Sequence, residues 1–72
     1  EHRTIPIKQP FEATIKSSRV ANEQRYEIVG APLDQLPWLK SIGCFTEIIS
    51  FRTRVFIPTK AAEAVLAALL MQ

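Results

Sequence analysis

The stretch "TEIISFRTRVFIP", residues 46–58, decides how this chain folds: it is dense in β-branched and aromatic residues, carries Arg52 and Arg54, and holds no glycine. As a single strand from Phe45 to Ile57 it would run roughly 43 Å at about 3.3 Å per residue, against a radius of gyration of about 11 Å for a domain of this length. The stretch must bend or break. Its odd positions Phe45, Ile49, Phe51, Val55 and Ile57 are mostly apolar, and its even positions Thr46, Ser50, Arg52 and Arg54 are polar. A hairpin keeps that parity only if its loop has an odd residue count. A three- or five-residue loop around Phe51 to Arg54 is therefore expected, with Ile49, Val55 and Ile57 facing the core.

Arg52 and Arg54 then stand at the tip or on the open face, beside the apolar exceptions Ile48 and Phe56. Aromatic rings accept stacked bases and guanidinium groups take phosphates, so this mixture suits a nucleic-acid surface. It also suits an ordinary wet sheet face, the commoner origin of such a mixture, where charges near an edge discourage aggregation.

On the C-terminal side, "TKAAEAVLAALLMQ" reads as a helix with Thr59 as N-cap and Ala62, Val65, Leu66 and Leu69 as its core stripe. Its other side, Ala61, Ala64, Ala68 and Met71, is apolar enough to dock on a parent protein or a second copy. On the N-terminal side, "APLDQLPWLKSIG" has Leu33, Leu36, Leu39 and Ile42 at helical spacing and Gly43 where a C-terminal cap belongs. Pro37 is tolerated only in a first turn, which starts the regular helix between Asp34 and Leu36. Trp38 then points outward or to a flank, as a core edge or a partner contact.

Further back, "FEATIKSS" alternates Phe11, Ala13 and Ile15 against polar residues, and "RYEIVGA" places Tyr26 and Ile28 on one face. With Asn22 and Glu23 as turn material they form an antiparallel hairpin. Residues 1–10, "EHRTIPIKQP", read as an arm or linker with a short extended piece at Ile5 to Lys8, and residues 11–72 as the domain. The expected architecture is α+β: a three- or four-stranded, mainly antiparallel sheet with two helices packed on one face.

A chain of 72 residues has material for one core. Its net charge of +2 is too small for binding nucleic acid by charge density alone, so any basic surface must arise from local clustering. The single cysteine, Cys44, excludes an internal disulfide and suits a reducing, cytoplasmic compartment; it reads as a small buried apolar group. The longest apolar run, residues 64–71, is too short to span a bilayer, so no membrane is expected as a partner. The polar opening and the helical ending read as a piece cut from a longer protein.

From Phe11 onward the order and spacing of elements resemble the HARP domain, an accessory module of Swi/Snf-related DNA translocases that anneal or remodel branched DNA. The matching features are the entry strand "FEATIKSS", Arg25-Tyr26-Glu27-Ile28, Leu36, Leu39 and Lys40 on the first helix, then Arg52, Arg54 and Phe56, and the closing "AAEAVLAAL". "FRTR" departs from that family's basic turn, which is richer in Lys, Asp and Pro. The resemblance implies a DNA-binding accessory role. The chain is also similar to the RNA-recognition motif, with "RTRVFIPT" at its central octamer, where Arg52, Phe56 and Ile57 fit and Thr53, Arg54 and Thr59 replace its glycine and two aromatics.

Catalytic chemistry is not expected. His2 and Cys44 have no second soft ligand, the acidic residues are scattered, and two glycines make no phosphate loop. No cofactor is implied. The reading is a non-catalytic, helicase-associated module that binds nucleic acid, DNA before RNA. Arg52 and Arg54 would meet phosphates, Lys40, Arg25 and Lys60 would assist, and Phe56 or Tyr26 would stack or support the face. The alternative is a protein-interaction module using Trp38 and the outer face of the last helix.

Overall fold

The structure, a computed structural model, describes residues 2–71; residues 1 and 72 of the expected arm and domain lie outside them. Five strands, β1 (His2–Ile7), β2 (Ala13–Val20), β3 (Glu23–Val29), β4 (Phe45–Ile49) and β5 (Arg52–Ile57), form one antiparallel sheet in the order β1-β2-β3-β5-β4. Two helices, α1 (Leu36–Ser41) and α2 (Ala62–Leu70), complete an α+β fold. Leu39 of α1 and Val65 and Leu69 of α2 enter the same buried cluster as Ile7, Ile15, Ile28, Val55 and Ile57. Both helices therefore cover one face of the sheet, and the other face is open.

The strand count corrects the expected three or four. The fifth strand is β1, within the stretch read as an arm: Ile5 lies opposite Ile15 and Ile7 opposite Ala13, and Ile7 is buried. Pro6 weakens the strand signal, yet a residue without an N–H is tolerated on an edge, which is where β1 sits.

Two of the three hairpins, β2–β3 and β4–β5, turn on two residues with positive φ, Ala21 and Asn22 at 51° and 66°, and Ser50 and Phe51 at 52° and 65°. Positive φ at both central positions marks the type I′ turn, whose twist matches that of the flanking strands. The first turn comes one residue before the expected Asn22 and Glu23. The second overturns the odd-loop expectation: Ile49 pairs with Arg52, so the loop is even and the parity inverts across it. Val55 and Ile57 face the core as expected, but Ile49 joins Phe45 and Glu47 on the open face. Ile48 falls on the helix side and stays 78% exposed because nothing covers it there.

Each helix is entered through a proline and a 3-10 turn, Pro32 before Leu33–Gln35 and Pro58 before Thr59–Ala61. The second of these turns corrects two expectations. It delays α2 to Ala62, so Thr59 is no N-cap; its hydroxyl donates instead to the Gln24 carbonyl at 3.1 Å, tying the start of the helix to β3. It also shifts the helical phase, so Ala61 packs against the core and leaves the outer stripe. The same effect in the first connection leaves Leu33 exposed.

Gly43 does what its position predicts. With φ at +114°, it lets its own N–H reach the Lys40 carbonyl at 3.1 Å and that of Cys44 reach the Leu39 carbonyl at 3.0 Å, the paired bonds of a Schellman cap. This reversal delivers Cys44 into the core and Phe45 onto the open face.

Candidate nucleic-acid interface

The registers determine which side chains share the open face. Lys16 lies opposite Glu27, Glu27 opposite Phe56, and Phe56 opposite Phe45, making one row across four strands. Beside it run Ser18 with Arg25, Arg54 with Glu47, and Arg52 with Ile49.

Phe56 is the centre of this face and is only 8% exposed, although it lies outside the core cluster under the helices. Phe45 stacks on it with ring centroids 5.7 Å apart, and the Arg54 guanidinium stands 5.2 Å from its centroid. Arg54 is held there by Glu27: its Nε donates to Oε2 at 2.8 Å and its Nη2 to Oε1 at 2.7 Å. Such a two-pronged pair has fixed geometry, and partial burial strengthens it. The hydrogen bonds from Arg54, with lesser help from its charge and that of Lys16, hold the Glu27 carboxyl below the usual carboxylate range against the opposing effect of burial. Arg54 is correspondingly raised by its bonds to Glu27.

A groove of about 430 Å³ opens at one end of this face, where β3 outruns its pairing with β5. Arg25 and Lys60 line it together with the half-exposed Phe45, the buried Phe56, and Glu23 and Glu47. The structure thus gathers Arg25, Lys60, Phe56, Arg52 and Arg54 on or beside one face. Tyr26 lines the groove but faces the helices, opposite Ile57 and packed against the core. Lys40 lies on α1, behind the sheet.

The roles available to these residues follow from their surroundings. Arg52 and Arg25 are exposed, whereas Arg54 is committed to Glu27. Phe56 is covered on its faces, so it cannot stack on a base, while Phe45 can. Phe45 and Lys16 share this face too: the alternation of "FEATIKSS" turns Lys16 away from the core, and the two-residue turn after Ile49 brings Phe45 into the same row.

The residues of the alternative surface are divided. Trp38 is half-buried and meets Phe11 edge-on, at 6.4 Å between centroids and 88° between planes, which makes it part of the core margin. Ala64 is exposed, Ala68 half-buried and Met71 83% exposed, next to Leu70 at 54%. Cys44 is buried, and burial pushes its thiol up to about 11. Among the described residues no cluster of His, Cys, Asp and Glu could hold a metal ion, and no helix is long and apolar enough to cross a membrane. Comparison of the chain with protein-family models, with curated proteins and with solved structures gives no significant match.

Proposed function

We propose that this domain is a non-catalytic nucleic-acid-binding module, acting on DNA within a helicase- or translocase-like protein, and that it binds through the open face of its sheet. The observation that carries this reading is the groove that Arg25, Lys60 and the partly exposed Phe45 line together. Arg25, Arg52 and Lys60 contact phosphates, and Phe45 takes one base. Arg54 is a positioning residue that keeps Phe56, and through it Phe45, in place. Glu47, on β4, repels phosphates, so the backbone follows the Arg25 and Lys60 side of the groove. Binding of this kind reads charge and shape and leaves ATP-driven work to another domain.

Polarisation titrations with forked, single-stranded and duplex DNA over a range of salt test it. Affinity should fall as salt rises, and each of Arg25→Ala and Arg52→Ala should lower the slope of log K against log salt by about 1. Phe45→Ala should weaken single-stranded binding more than duplex binding. Absence of binding to all three at low salt ends the reading.

The protein-interaction reading has one observation in its favour, the exposure of Leu70 and Met71 at the end of α2. A partner held there is insensitive to salt and to the arginine substitutions, and is lost on Met71→Asp.

A further inference from the structure

The two edges of the sheet are built differently. β1 carries Pro6 within the strand, with Arg3 exposed on it, features that discourage another strand from adding on. β4 has no proline or lysine, and Glu47 is its only charge. Around it cluster Ile48 at 78% exposure, Phe51 at 102%, Phe45 at 43% and Ile49 at 37%. An edge that is apolar and unprotected is a template for strand pairing.

We propose that the free edge of β4 pairs antiparallel with β4 of a second copy of this chain, joining two five-stranded sheets into one. The hairpin specifies which backbone groups are available. Ile49 and Arg52 flank a two-residue turn and so form a hydrogen-bonded pair. Alternation then directs the N–H and C=O groups of Glu47 and Ile49 toward β5 and those of Thr46 and Ile48 away from it. Ile48 is thus outward-facing in its backbone and exposed in its side chain.

Charge selects the register. A two-fold axis through Glu47 would set two carboxylates directly opposite each other, which is destabilising. An axis through Ile48 sets Ile48 against its mate in a hydrogen-bonded pair and moves Glu47 opposite Ile49 of the second copy, whose cross-strand neighbour is Arg52. Arg52 takes part in no ion pair among the described residues, and Glu47 of the other copy lies within side-chain reach of it. The same register brings Phe45 level with Phe51 of the second copy. One arrangement therefore covers Ile48 and Phe51 and pairs Glu47 with Arg52 twice, a match that an arbitrary strand lacks. Because the axis is perpendicular to the sheet, both open faces lie on the same side.

Sedimentation velocity of the 72-residue chain over roughly two decades of concentration reads the association. The expected result is a monomer–dimer equilibrium weakened about tenfold or more by Ile48→Lys, a change at an exposed position that leaves the circular dichroism spectrum unaltered. Glu47→Arg should weaken it as well, and adding Arg52→Glu should restore it. In concentrated samples the Ile48 amide should gain protection from hydrogen exchange, which contact through side chains alone would not produce. A monomer at every concentration overturns the proposal. So does a dimer indifferent to Ile48→Lys and to the charge exchange, or one abolished only by Met71→Asp, which would place the interface on α2.

Discussion

Replacing Ser50 and Phe51 by Asn and Gly tests the turn on which the arrangement of the open face depends. Both residues have positive φ, and neither is of a type that adopts it readily. At about 1 kcal/mol each, the strain in the folded state is on the order of 2 kcal/mol. Phe51 is fully exposed, so its removal forfeits no packing. Glycine returns part of the gain, about 0.5–1 kcal/mol, by enlarging the freedom of the unfolded chain. The net expectation is a stabilisation of about 1 kcal/mol. With an unfolding entropy of about 2.1 cal/mol/K per residue, a chain of 72 residues has about 150 cal/mol/K, so Tm should rise by about 7 °C. Thermal and urea melts followed by circular dichroism at low protein concentration, where self-association does not contribute, measure it. A loop of three or five residues would put the new glycine in or beside a strand and lower Tm instead. A fall in Tm would thus refute the two-residue turn and the parity inversion derived from it.

Other outcomes follow from the same structure. Leu39 is fully buried, so Leu39→Ala should cost about 2–5 kcal/mol and lower Tm by about 14 °C or more, as a melt will show; a change of a few degrees would mean that α1 is not packed as described. Gly43→Ala should cost about 1–2 kcal/mol through its backbone alone, because the added Cβ would meet Val65 Cγ2 at an ordinary 3.5 Å; urea unfolding that matches the unaltered chain would refute the Schellman cap. The folded-state depression of Glu27 below its ordinary value of 4.5 contributes stability that is present above that value and lost as pH falls through the lower, folded one. Acid titration of Glu27→Gln should lack that component, and an identical acid limb in both proteins would remove the Arg54 pair from the account. With its thiol pushed up to about 11 and buried, Cys44 should react with a disulfide reagent at neutral pH only as fast as the domain unfolds; immediate labelling of the native protein would contradict its burial.

Much of the fold is legible in local patterns. Alternation in "FEATIKSS" and "RYEIVGA" marks the β2–β3 hairpin, and Phe11, Ile15 and Ile28 are buried as it implies. The spacing of Val65 and Leu69, and Gly43 after the first helix, identify the helices and one of their caps, because helix period and capping are properties of a few consecutive residues. The candidate site is less legible. Arg25, Arg52, Arg54 and Phe56 are recognisable as a basic and aromatic set, but whether Phe56 or Phe45 offers its ring depends on a register established by a turn without turn residues.

The class of the fold, the break in residues 46–58 and the inward facing of Val55 and Ile57 all follow from length, period and polarity along a continuous segment. That His2–Ile7 is an edge strand, that the loop is even, and that Arg54 is bound to Glu27 while Arg52 and Arg25 remain exposed emerges only once the strands are assembled. Strand pairing and ion pairing join residues far apart in the chain. Glu27 and Arg54 meet only because β3 and β5 lie side by side, and no local pattern encodes which strands become neighbours.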